Sequence, residues 1–419
     1  MLVTENVCDR PGLLEIDAAL KIALGIVAPV PEREIVPLRV CTGRVTTGKG
    51  VSSMPLPPFD QSAVDGYGLH ADDVAAQRTG PFRLVGRVVA GARRGPTLAP
   101  GEAVRLLTGA AIPNGVAAVV MEEKATEREQ QVRIERPSEI GLNIRHAGED
   151  VGERAEIIEA GTLIDARHVA ILAACSTTHV AVRRRIKVAV LSTGDELVPA
   201  GRRQHQHQIC DSNGPMLQAL FTSPAVDLRM LGCCPDDPAR LVRQIKRAAR
   251  VFDLLICSGG VSGSDADHVV ASVLATGGSC RKVSLALKPG KPLAMGRIGA
   301  MAVLALPGNP VAALVGALLF ARPMLQTLTG QPAPANAILI AKTATTFSHR
   351  LGRTEFVPVR IVGYDADGIP LLEKLGRGGS ARLRPLVVAD GLGCIPGGSD
   401  DLPAGAPLRY YPFRTAFSL

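Results

Sequence analysis

The sequence predicts an α/β multidomain protein in which a doubly wound sheet is flanked by smaller β-rich parts. Three observations carry this. From Ile186 to about Pro310, short apolar runs alternate with tight turns and amphipathic stretches. From Phe82 to about Arg136, and again past Gly330, short β-like runs sit between glycine and proline turns. The length, 419 residues, suffices for about three domains with their own cores.

Composition narrows the function classes. The chain is 46% hydrophobic, yet the longest strongly apolar helix candidate, Val311 to Ala321, falls short of the roughly 20 residues needed to span a bilayer, so no membrane anchor is expected. Met1 to Glu15 does not read as a signal peptide. Nine cysteines without a Cys-x-x-Cys pair suit neither a disulfide framework nor a zinc site, and a reducing cytoplasm is expected. The net charge of +8 is scattered, and there is no Trp and only four Tyr for stacking on bases. An anionic small molecule is therefore expected as partner, with no nucleic acid.

In chain order, Leu13, Ile16, Leu20, Leu24 and their neighbours predict a helix before Pro29. Pro55 to Tyr67, with three prolines and two acids, reads as a shaped loop, either a capped connector or part of a site. The insert follows, with strands expected at Phe82 to Val89, Ala103 to Leu107, Ala117 to Met121 and Gln131 to Ile134. At its middle lies Thr108-Gly109-Ala110. Gly148-Glu149-Asp150 faces either solvent or a site.

In the α/β region, strands are expected at Ile186 to Leu191, Val226 to Leu231, Leu254 to Cys257, Val283 to Leu287 and Ala302 to Leu306, with helices starting near Asn213, Pro238, Asp267 and Pro310. Such sheets bind ligands beyond the carboxyl ends of their strands. The unusual residues fall there: Ser192-Thr193-Gly194-Asp195-Glu196, the turn from Ser258 to Asp267, Lys288-Pro289-Gly290-Lys291-Pro292, and Pro307-Gly308-Asn309-Pro310. The Ser258-Gly259-Gly260-Val261-Ser262 turn is either a plain capped turn or a phosphate cradle at a helix start. Two lysines beside it favour a polyanion. Glu196 and Asp267 end other strands of the sheet; they are surface and cap residues, or they hold Mg²⁺ beside a phosphate. Past Gln331-Pro332-Ala333-Pro334, strands are expected at Ala337 to Ala341, Glu355 to Val362, Leu371 to Lys374 and Leu408 to Tyr411.

Pro57 to Tyr67, Thr108 to Ala110, Gly148 to Asp150, Ser192 to Leu197, Ser258 to Ser262, Lys288 to Pro292 and Pro307 to Pro310 occur in the order seen in the MoeA family, and over nearly its whole length the chain resembles that family, which also includes the E domain of gephyrin. The resemblance implies a mixed N-terminal domain from 1–50 and 141–182, a β-rich insert at 51–140, a molybdopterin-binding α/β domain at 183–330 and a C-terminal β-barrel domain at 331–419. It implies a homodimer whose cleft lies between the last two domains of one subunit and the first two of the other, and contact with other molybdenum cofactor biosynthesis proteins. The reaction implied is molybdopterin molybdenumtransferase chemistry: adenylylated molybdopterin and molybdate become molybdenum cofactor, AMP is released, and Mg²⁺ assists.

By the same resemblance, Asp65, Thr108, Asp150, Glu196, Asp236, Asp267 and Lys288 match the family's catalytic residues. Glu196 and Asp267 are the expected metal ligands. Gly259, Gly260 and Ser262 are expected to hold the terminal phosphate region of the pterin. Lys291, Pro307, Gly308, Asn309, Pro310, Arg353 and Ser380 are expected to contact substrate. Many family members carry a second lysine where this chain has Ser284. In the strand expected at Val283 to Leu287 alternate side chains share a face, so Lys282, Ser284, Ala286 and Lys288 point the same way, and Lys282 is expected to reach the ligand in place of the missing lysine. Gly263 to His268 and Arg382 to Leu386 also depart from the family pattern. Two other readings remain: a catalytically divergent pterin-binding or scaffold paralogue, and a different nucleotide-handling enzyme reusing the α/β domain, against which the Asp65, Thr108 and Asp150 segments argue.

Overall fold

A computed structural model describes residues 12–92, 95–261, 268–332, 338–376 and 381–414. Its central sheet has the strand order Val226–Cys234, Ile186–Thr193, Leu254–Ser258, Met301–Leu306, Pro292–Ile298, Ser279–Ser284. The first four are parallel, and the last two add an antiparallel edge. Alternation along the strands explains the double winding. Val188, Val190, Leu254, Ile256 and Leu304 pack against helices Ile16–Gly25, Asn213–Phe221 and Pro310–Gly316, while Ala189, Leu191, Leu255, Cys257 and Val303 pack against Pro238–Ala248 and His268–Ala275. Leu241 and Ile245 of helix Pro238–Ala248 are buried, each contributing about 1.5–3 kcal/mol. Asp237 caps that helix by accepting from the backbone N–H groups of Ala239 and Arg240 at 2.8 and 3.1 Å.

Two expectations are corrected here. The run Val283 to Leu287 is not one strand: Ser279–Ser284 pairs within the central sheet, whereas Leu287–Lys288 pairs in parallel with Thr354 and Glu355 of the C-terminal sheet. Lys282 and Ser284 therefore do not share a strand face with Lys288. Helix Ile16–Gly25 packs through Ala19 and Ala23 on the core of the α/β sheet. The apolar helix extends from Pro310 to Thr329, 20 residues, long and apolar enough to cross a membrane. It passes through a π-helical turn at Ala317–Ala321, and 72% of its most apolar window is buried inside the protein, as a core helix between two sheets would be.

The insert is a curled six-stranded sheet, in the order Val116–Met121, Gly66–His70, Glu102–Leu106, Phe82–Val88, Gln131–Ile134, Ala125–Arg128. Gly66–His70 emerges from the segment read as a loop and lies inside the sheet, between Val116–Met121 and Glu102–Leu106. Its Gly66 packs directly on the Val120 backbone, where a Cβ has no room. The remaining N-terminal part is built by pairing distant segments: Arg33–Pro37 with His179–Arg183, and Gly50–Val51 with Glu156–Ile158.

At the C-terminus, Thr354–Tyr364, Pro370–Lys374, Leu339–Thr343, Pro407–Pro412 and Gly391–Ile395 close into a five-stranded barrel. Phe347, Val359, Leu372 and Ile395 fill its interior. Leu287–Lys288 is added to the barrel wall beside Thr354 and Glu355. The α/β domain and the barrel are thus joined by a shared strand at the place where the motif lysine sits.

Candidate active site

Three turns meet at the carboxyl ends of the parallel strands. Gly259 has φ +95°, a conformation that favours glycine, and a Cβ there would strike the Thr193 carbonyl. Its backbone N–H donates to Leu306 O at 3.0 Å. Asn213, at the start of its helix, ties the turns together: its Nδ2 donates to Ser258 Oγ and to Gly308 O, both at 2.7 Å. Beside it, Asp211 accepts from Ser192 Oγ at 2.7 Å and from the Gly214 N–H at 2.9 Å. Asn213 Oδ1 and Thr193 Oγ1 are buried without a partner among the described residues.

These turns line a cavity of about 570 Å³ together with Glu196, Asp236, Gly260, Gly308, Asn309 and Pro310. A neighbouring cavity of about 400 Å³ shares Gly308 and Asn309 and runs toward the barrel. Five cations line it, Lys288, Lys291, Arg353, Lys374 and Arg382, against one carboxylate, Glu355. A wall of that sign attracts and neutralises a polyanion.

The carboxylates lie at the other end. Burial, followed by the charges of Asp195 and Glu196, raises the Asp236 carboxyl above its ordinary value. Gly194 leaves room for the Glu196 carboxylate to fold against the backbone. Among the described residues no three His, Cys, Asp or Glu side chains converge as a ready-made metal cage. Mg²⁺ needs only one or two carboxylates when water and substrate oxygens complete its shell. Glu196 and Asp236 therefore fit a cation shared with a bound phosphate.

A second cluster lies outside both cavities. Asp65 Oδ1 accepts from the Thr108 N–H at 2.6 Å and from Thr108 Oγ1 at 2.7 Å. These bonds, the backbone one first, hold the Asp65 carboxyl below its ordinary value. Asp150 is exposed, and its backbone N–H donates to Leu56 O at 3.1 Å.

The structure thus gathers Glu196, Asp236, Gly259, Gly260 and Pro310 in one cavity, Lys288, Lys291, Pro307 and Arg353 in the other, and Gly308 and Asn309 in both. It joins Asp65 to Thr108 elsewhere. Lys282 lines neither cavity. Ser262, Asp267 and Ser380 lie outside the described residues. Asn213, Asp211, Glu355 and Lys374 were missed as site residues. Only Asp211-Ser212-Asn213, polar residues ahead of a helix, offered a local signal.

Residues 14–176 match the MoeA N-terminal region (domain I and II), 189–327 a probable molybdopterin binding domain, and 341–413 the MoeA C-terminal region (domain IV). The chain is 35% identical over 305 residues to a molybdopterin molybdenumtransferase of Nostoc sp., covering 71% of this chain and 70% of that one. It is 30% identical over 408 residues to molybdopterin molybdenumtransferase 1 of Mycobacterium tuberculosis, covering 92% and 95%. Among solved structures, the molybdopterin biosynthesis MoeA protein of Pyrococcus horikoshii OT3 superposes with a TM-score of 0.80 at 26% identity, covering 96% of this chain and all of that one. With these matches running along nearly the whole chain, on a fold that brings the motif residues to two adjoining cavities, the protein belongs to the MoeA family.

Proposed function

We propose that this protein is a molybdopterin molybdenumtransferase, which takes adenylylated molybdopterin and molybdate and forms molybdenum cofactor with release of AMP. The observation that carries the reading is the pairing of a cation-lined cavity with a carboxylate-lined one across Gly308 and Asn309. A pterin nucleotide with two linked phosphates needs both. Lys288, Lys291 and Arg353 neutralise the phosphates and molybdate, and the Gly259-Gly260 turn approaches a phosphate closely enough for backbone N–H contacts. Glu196 and Asp236 would hold Mg²⁺, which would supply charge neutralisation at the phosphoanhydride. Positioning and charge stabilisation are the protein's contribution to breaking that bond.

The proposal extends to the assembly. Asp65, Thr108 and Asp150 stand on the surface away from both cavities, so the site is completed in a homodimer by the first two domains of a second copy. The four-part division of the chain is carried into this proposal. So are a cytoplasmic location and contacts with other molybdenum cofactor biosynthesis proteins.

The test supplies purified protein with adenylylated molybdopterin, molybdate and Mg²⁺, and measures AMP release together with activation of an apo-molybdoenzyme. Ser284, exposed where many family members place a lysine, favours one competing reading, a pterin-binding or scaffold paralogue. Tight pterin binding without AMP release would support that reading instead.

A further inference from the structure

Glu355 is the one carboxylate among the residues lining the cationic cavity, and it is 4% exposed. Its place follows from topology: Lys288 and Glu355 are directly paired where the α/β domain lends a strand to the barrel. Lys288 Nζ lies 3.0 Å from Glu355 Oε1, and Lys374 Nζ lies 4.0 Å from the same oxygen. Glu355 Oε2 has no hydrogen-bond partner among the described residues, and His349 Nε2 stands 4.0 Å from it. The same imidazole nitrogen is 3.0 Å from Arg353 O. Lys291 and Arg353 form no ion pair among the described residues and so offer their full charge to the cavity.

We propose that Glu355 is a positioning residue that holds the Lys288 ammonium in place and offsets part of its charge, so that the cavity does not trap its anion in the ground state. This rests on the transferase reading, in which Lys288 meets the substrate's anionic groups. Two consequences distinguish it from a purely structural role. A buried carboxylate beside two ammonium groups weakens anion binding, so its removal tightens binding. A lysine released from its partner is also misplaced for the reacting geometry, so turnover falls. Binding that strengthens while kcat drops is the signature of lost transition-state selectivity.

The experiment compares wild type, Glu355→Gln, Lys288→Ala and the double variant. Calorimetric titration with molybdate, and separately with inorganic phosphate, reads anion affinity without any need for turnover. Molybdenum transfer gives kcat and KM. Glu355→Gln is expected to bind the anion about 3–10-fold more tightly and to lose about 10–100-fold in kcat, the scale of a misplaced catalytic group. The double variant is expected to turn over no more slowly than Lys288→Ala alone, because Glu355 acts through Lys288. Anion affinity that is unchanged or weaker in a folded Glu355→Gln protein overturns the proposal. If Glu355→Gln does not fold, Glu355→Asp decides: it keeps the charge but withdraws it, so anion affinity should stay within about twofold while kcat falls, and an unchanged kcat overturns the idea. A wild type that binds anions as described but transfers no molybdenum refutes the transferase reading, and the titrations still decide the role of Glu355.

Discussion

Asp65 Oδ1 accepts both the backbone N–H and the side-chain hydroxyl of Thr108, at 2.6 and 2.7 Å. Two residues 43 positions apart are thereby locked together at the surface of the insert. Both donors favour the ionised carboxylate, so its pKa lies below the ordinary value. For a lowered carboxyl, the stabilisation is present above the unfolded pKa and is lost as pH falls through the folded one. Thr108→Ala removes the hydroxyl, and the Asp65 titration, followed by carboxyl NMR, is expected to move upward toward the ordinary range. An unmoved titration would mean the hydroxyl contributes nothing.

Asp236 titrates in the opposite sense. Burial first, then Asp195 and Glu196, raise its carboxyl. Its contribution to stability is present at acid pH and is lost as pH rises through the raised pKa, so the ionised cluster repels itself at neutral pH. Mg²⁺ is expected to raise Tm at pH 7, with a gain that shrinks as the solution is acidified and the carboxyls protonate. Asp236→Asn should raise Tm in metal-free buffer and remove most of the Mg²⁺ response. A wild-type Tm indifferent to Mg²⁺ would argue against a cation at this cluster.

Much of this architecture was legible because local patterning and global fold agree. The parallel strands read as short apolar runs, and Leu241, Ile245 and Ala248 fall on one helix face, all buried. What was not legible has specific causes. Gly66–His70 and Gly391–Ile395 begin with glycines that look like turns, yet these glycines sit where a facing backbone leaves no space for a Cβ. The lysine at 288 sits one short step from the central sheet but pairs in another sheet, which no periodicity reveals. Glu355 and Asn213 act through partners far away in sequence. A buried acid in a strand, or an amide at a helix start, looks ordinary until the fold brings its partners together.

Asn213 offers a separate check on the strand-end turns. Asn213→Ala leaves Ser258 Oγ, on a residue 2% exposed, without its partner, a loss of about 1–3 kcal/mol. The urea midpoint should fall accordingly, and affinity for a pterin phosphate should fall with it as the Gly308 turn loosens. Unchanged stability would indicate that water takes over the bond.

If one cleft is assembled from two copies, Asp65→Ala and Lys288→Ala proteins, each strongly impaired alone, should complement each other on unfolding and refolding together. Half of the dimers would be mixed, each with one intact site, so activity should return to about one quarter of wild type. Failure of two folded, dimeric variants to complement would place both residues in one subunit's site.

The most direct measurement is the stoichiometry of the transfer itself. Purified protein given adenylylated molybdopterin, molybdate and Mg²⁺ is expected to release one AMP for each apo-molybdoenzyme activated, and both signals should fall together, by the same factor, in Lys288→Ala. Tight pterin binding with neither AMP release nor activation, from protein that is folded and dimeric, would contradict the account.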